Sequence, residues 1–147
     1  MIASLTGRLA EADADGLIVE VGGVGLRVHA SAAAARAARD QPQAVQLHTH
    51  LVVREDALTL YGFASRRERG LFVLLLGVSG LGPAKALALL SGYPVDTLQR
   101  GIATGDLALL ASVSGIGRYV AGRHLVTLQP QLAFSADKGA VRDVRAV

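Results

Sequence analysis

The spacing of apolar residues changes character near residue 63, and the change divides the chain into two kinds of structure. In the first part, Leu17-Ile18-Val19-Glu20-Val21 and Gly25-Leu26-Arg27-Val28-His29 are strand-like runs on either side of Gly22-Gly23, a strong turn signal. Residues 45–53 alternate imperfectly, and residues 58–63 form another short strand. Between them, Arg54-Glu55-Asp56-Ala57 is expected to make a hairpin turn. With residues 2–10 there are about five short strands, the number of a small OB-type barrel. The alanine-rich stretch 30–38 suits a helix or helical turn between strands, since alanine is the best helix former.

Beyond Gly62-Phe63 the pattern becomes helical. Residues 66–76 have a polar start and an apolar remainder, and residues 83–90 read as a helix with Pro83 in the tolerated first turn. Gly92-Tyr93-Pro94 interrupts the chain. Residues 96–102 and 106–111 predict two further short helices, with Asp96 and Asp106 placed to cap them. Residues 118–128 complete a set of about five helices: two helix-turn-helix pairs and a joining helix. The expected class is α+β, a five-stranded OB-type barrel over 1–63 followed by an all-α domain over 64–130. The mixed charge and weak periodicity of 131–147 read as a linker or tail.

Composition narrows the class of protein. The 147 residues are 51% hydrophobic, ample for a core, yet no uncharged run approaches the length of a membrane span. The start lacks a basic segment followed by a long apolar block, so no secretory signal is read and a cytoplasmic location is expected. The absence of cysteine excludes disulfides and thiolate metal sites. The net charge of +3 is unevenly spread. Residues 1–63 carry five Arg against seven acids, whereas 64–147 carry ten Lys and Arg against five acids. That asymmetry points to a nucleic-acid partner for the second part, with ordinary variation of surface charge as the alternative.

Two glycine turns give this charge a shape. Gly80-Leu81-Gly82-Pro83, with Lys85, and Gly115-Ile116-Gly117-Arg118 each follow an apolar segment and open another. Glycine lets another molecule approach the main chain closely, and the N–H groups opening a helix have no partner within it. Each turn is therefore an anion site, with Lys85, Arg118 and Arg123 as the nearby cations. The doubled turn resembles the helix-hairpin-helix motif, which holds DNA phosphates without reading bases. Gly77-Val78-Ser79-Gly80-Leu81-Gly82 lacks the Gly-Lys-Ser/Thr of a Walker loop, so ATP hydrolysis is not expected. Glu55-Asp56 repels phosphate wherever it projects, but no third carboxylate is near in sequence to help hold a divalent metal. His48 and His50 share a strand face and read as packing residues rather than metal ligands. A repair nuclease or glycosylase using Lys85, Asp106 or the Glu55-Asp56 pair is the alternative class. A single-strand binder would need a stacking platform, which six aromatics supply poorly.

The run His48-Thr49-His50-Leu51-Val52-Val53-Arg54-Glu55-Asp56-Ala57, ending in Leu60-Tyr61-Gly62-Phe63, resembles the end of the first domain of the RuvA family, Holliday-junction-binding subunits of the bacterial branch-migration complex. Both glycine turns fall where that family has its paired hairpins, and Met1-Ile2 and Gly22-Gly23-Val24-Gly25 fit its opening. The resemblance covers roughly residues 1–130. It implies a non-catalytic, cofactor-free protein that binds four-way junction DNA as a homotetramer, with an octamer as the alternative. By the same resemblance its protein partners are the RuvB ATPase motor and the RuvC resolvase. Glu55 and Asp56 would form an acidic pin at the crossover, while Gly80, Leu81, Gly82, Lys85, Gly115, Ile116, Gly117, Arg118 and Arg123 would hold the arms. Ala84 and Tyr119 stand where the family commonly has bases, which predicts weaker or more salt-sensitive binding. Nothing after Gln129 resembles the family's third, motor-docking domain, so a truncated product is expected.

Overall fold

The computed structural model describes residues 1–105, Ser79 excepted, together with Ala108. Five strands, β1 (Ser4–Asp13), β2 (Gly16–Val21), β3 (Val24–Ala30), β4 (Val45–Val53) and β5 (Leu58–Phe63), close into a barrel in the order β1-β2-β3-β5-β4. All neighbours are antiparallel except β3 and β5, where Val28 pairs with Leu60 in parallel. The β2–β3 turn rests on Gly22 and Gly23, whose φ of 57° and 86° admit the left-handed conformation such a two-residue hairpin needs. A register shift between Leu9 and Glu11 marks an irregularity in β1, and Leu9 N–H bonds to the Pro42 carbonyl at 2.7 Å outside the ladder. Bulges of this kind bend a strand and help a small sheet close.

The barrel interior is filled by Leu5, Leu17, Val19, Val28, Val45, Leu47 and Leu60. Helix α1 (Ala32–Asp40) joins this core through Ala34 and Ala38, so the predicted alanine-rich element forms, two residues later than its first alanine. Ser31 caps it, its hydroxyl accepting the Ala34 N–H at 3.2 Å.

Helices α2 (Arg66–Leu76), α3 (Pro83–Gly92) and α4 (Val95–Thr104) surround a second core of Leu71, Phe72, Leu75, Leu89, Leu98 and Ile102. Phe63, the last residue of β5, packs in this helical core. Phe72 meets Phe63 and Tyr61 at ring-centroid separations of 4.8 and 5.1 Å, so the aromatics join the barrel to the helices. The expected cap on α4 is corrected: Pro94 holds the cap position without a side-chain bond, and Asp96 lies inside the first turn. There its carboxylate complements the helix dipole and pairs with Arg67 at 2.7 Å. Of the helix expected over 106–111 only Ala108, which is helical, is described; the rest of it, the helix expected over 118–128 and the cap assigned to Asp106 lie outside the described residues.

Candidate nucleic-acid interface

The first glycine turn joins α2 to α3. Gly77 ends α2, its N–H reaching the Leu74 carbonyl at 3.1 Å. Gly80 then takes φ of 85°, a conformation that strains any residue carrying a Cβ. Leu81 turns inward, only 4% exposed, and its N–H bonds to the Val78 carbonyl at 3.1 Å. Leu81, assigned to DNA contact from the sequence, thus anchors the turn from within and leaves Gly80 and Gly82 exposed on either side. Gly82 is the N-cap of α3 and offers no side chain to its first turn, while Pro83 occupies the tolerated opening position. The first bond of the α3 ladder runs from Ala86 N–H to the Gly82 carbonyl at 3.0 Å. The N–H groups of Ala84 and Lys85 precede that ladder and lie at the positive end of the helix dipole. Lys85 is half-buried in this turn, and a Cβ added at Gly82 would meet nothing within 4 Å. The result is an open, backbone-lined anion cradle with one cation beside it.

The acidic turn is built differently. Val53 pairs with Leu58, leaving Arg54-Glu55-Asp56-Ala57 as the loop, closed by Arg54 N–H to the Ala57 carbonyl at 2.9 Å. All four residues are exposed. Because β3 and β5 run parallel, this turn and the Gly22-Gly23 turn lie at the same end of the barrel. The helices leave from the opposite end of β5, a strand of six residues and about 17 Å.

Not all the positive charge of the second part is free to meet an anion. Arg67 donates to Asp96 at 2.7 Å and also to Gln99, tying α2 to α4. Arg69 donates to the Ala3 carbonyl at 2.7 Å and holds the N-terminal segment. Arg69 also acts on half-buried His48 and His50 of β4, and Arg66 on His48. Burial, reinforced by Arg69 and Arg66, lowers the His48 pKa; burial, the N-terminal amine and Arg69 lower that of His50. His50 lies edge-on to Phe72 at 6.0 Å, in keeping with the packing role read from the sequence. Burial raises the Tyr61 hydroxyl pKa, opposed by Arg54. Phe63 and Phe72 are buried at the seam and present no face for base stacking.

Sequence reasoning passed over Ser31 and Glu68, both buried polar residues. The spacing Ser65-Arg66-Arg67-Glu68 is a capping-box signal, and Glu68 N–H does donate to Ser65 Oγ at 3.2 Å. The Glu68 carboxylate goes elsewhere, to Ser31 and Ala64. The second turn, Gly115, Ile116, Gly117 and Arg118 with Arg123, lies outside the described residues, as does Asp106 of the enzymatic alternative.

A closed five-stranded barrel followed by a helix-turn-helix with a glycine cradle defines an OB-type domain joined to a helix-hairpin-helix module. Residues 1–62 match the family model described as the RuvA N terminal domain, and residues 72–129 match a SAM-like helix-hairpin-helix tandem. Several curated relatives bear the name Holliday junction branch migration complex subunit RuvA. That of Chloroflexus aggregans is 46% identical over 134 residues, covering 91% of this chain and 69% of the relative. That of Beutenbergia cavernae is 48% identical over 132 residues, covering 90% and 66%. That of Pseudomonas aeruginosa is 46% identical over 129 residues, covering 88% and 64%. The chain belongs to the RuvA family.

Proposed function

We propose that this chain is a non-catalytic DNA-binding subunit that recognises Holliday junctions by shape and holds them for a separate branch-migration motor. The observation that carries the reading is the pairing of two turns of opposite electrical character on one frame, the exposed acidic loop at Arg54–Ala57 and the glycine cradle at Gly80–Gly82. The names borne by the relatives support it. In this reading Gly80, Gly82 and Lys85 hold phosphate, with Leu81 anchoring their turn, and Gly115, Ile116, Gly117, Arg118 and Arg123 form the matching second grip. Such contacts position a duplex without reading its sequence. Glu55 and Asp56 act as the pin that keeps duplex out of the crossover.

Residues 1–63 are assigned to oligomerisation and the pin, 64–130 to the DNA grips and 131–147 to a linker. A homotetramer, with RuvB as the ATPase and RuvC as resolvase, completes the proposal. The test is a gel shift of four-way junction against linear duplex of equal length, with magnesium present and absent. Preference for the junction with both DNAs left intact is expected. Equal affinity refutes junction recognition, and cleavage lost in Glu55→Ala or Lys85→Ala moves the chain to the nuclease class.

A further inference from the structure

We propose that Glu68 is a positioning residue: with Ser31 it fixes helix α2 against the barrel, and together with the neighbouring Ala32–Ser91 bond this node holds the grip helix α3 at a set angle, and so fixes the geometry between the glycine turn and the acidic turn. The inference rests on the junction-binding reading above.

Glu68 is 4% exposed, and its Oε1 accepts both the Ser31 hydroxyl at 2.7 Å and the Ala64 N–H at 3.0 Å. Ser31 is fully buried. It caps α1 through Ala34 N–H, and its own N–H goes to the Gly62 carbonyl at 3.0 Å. One residue on, Ala32 N–H donates to Ser91 Oγ at 3.3 Å, in the last turn of α3. The start of α1, a barrel element, thus receives one side chain from α2 and another from α3. Helix α3 is ten residues, about 15 Å, with the phosphate cradle at its first turn and this brace at its last.

Stability alone does not explain such a node. A buried carboxylate loses its hydration, and well-packed apolar groups often replace buried charge without loss. A capping-box glutamate ordinarily reaches back to the N–H of its own cap residue. Here the carboxylate instead crosses to a residue 37 positions away. The aromatic contacts at the seam bury surface but are weakly directional, whereas this pair of hydrogen bonds specifies both a distance and an angle. Junction recognition needs that specification, because the cradle and the acidic loop must meet different parts of one branched molecule.

The chain has no cysteine, so Glu11→Cys on β1 and Ala88→Cys on α3, both at exposed positions, give one spin-label pair per chain, read within single chains by mixing labelled protein with an excess of unlabelled protein. Glu68→Ala is expected to broaden or shift the label distances and to lower the junction-to-duplex affinity ratio about fivefold. Glu68→Gln keeps an acceptor oxygen and is expected to restore both readouts. A folded Glu68→Ala protein with unaltered label distances, or with altered distances and an unaltered ratio, overturns the proposal. Should Glu68→Ala fail to fold, Ser31→Ala decides by the same two criteria. A parent protein without junction preference counts against the junction reading itself, while the label distances still decide whether this node sets the angle.

Discussion

The acidic turn and the glycine turn both reverse the chain between neighbouring elements, and both are exposed, yet they carry charge by opposite means. At Arg54–Ala57 the charge lies on side chains, displayed by a loop whose backbone is held by the β4–β5 ladder. At Gly80–Gly82 it lies in the backbone itself, in N–H groups that open α3. Side-chain charge can be removed without disturbing the fold beneath it. Backbone charge is inseparable from the conformation that displays it, so the first turn is chemically adjustable and the second geometrically constrained.

The largest test removes the frame both turns share. Phe72 is fully buried and touches Phe63, Tyr61 and His50, so Phe72→Ala is expected to cost about 3–5 kcal/mol in denaturant unfolding. Within the glycine turn the two glycines separate conformation from access. Gly80→Val, at φ of 85°, is expected to destabilise by about 1–3 kcal/mol and to lose duplex binding with it. Gly82 has φ of −83° and free space where a Cβ would stand. Gly82→Ala should therefore change stability by no more than about 1 kcal/mol. By crowding the cradle it should still weaken duplex binding about tenfold. Weakened binding only in proportion to lost stability would contradict the backbone-cradle assignment.

Changes at the acidic turn come next in size. Glu55→Gln with Asp56→Asn should leave the unfolding midpoint in place and raise duplex affinity about two- to tenfold at low salt, a gain that shrinks as salt rises. Affinity unchanged at low salt would show a merely solvated loop. A smaller, pH-dependent effect belongs to the seam. His48 and His50 have pKa values lowered from 6.5, so the folded protein takes up protons less readily than the unfolded chain. Their contribution to stability is complete above about pH 6.5 and is lost as pH falls through the lowered values. Denaturant curves at falling pH should show that decline, and replacing both histidines with glutamine should flatten it. The smallest effect is Arg67→Ala, which removes an exposed ion pair and should cost about 1 kcal/mol or less.

Much of the architecture was legible in the chain. Strand β4 and strand β5 have the bounds their apolar runs predict, and Gly22-Gly23 makes the expected turn. Pro83 opens α3 as its chemistry suggests. Asp96 was misread because a capping residue and a first-turn acid differ by only two positions, and Pro94 took the cap position. Arg67 and Arg69 counted toward a nucleic-acid charge but serve as ties within the fold, a distinction that net charge cannot express. Glu68 carried a visible capping signal, yet the destination of its carboxylate was hidden because Ser31 is remote in sequence.

What the sequence determined by itself is local: the period of its apolar residues, the glycines where the backbone must turn, and the side chains that give each turn its charge. Those features follow from interactions among residues close along the chain. Tertiary structure alone decided that β3 and β5 lie parallel, which brings the acidic turn and the Gly22-Gly23 turn to one end of the barrel, and that Ser31 meets Glu68 at the seam. These are contacts between distant residues, settled by how whole faces pack and by the need to pair every buried polar group.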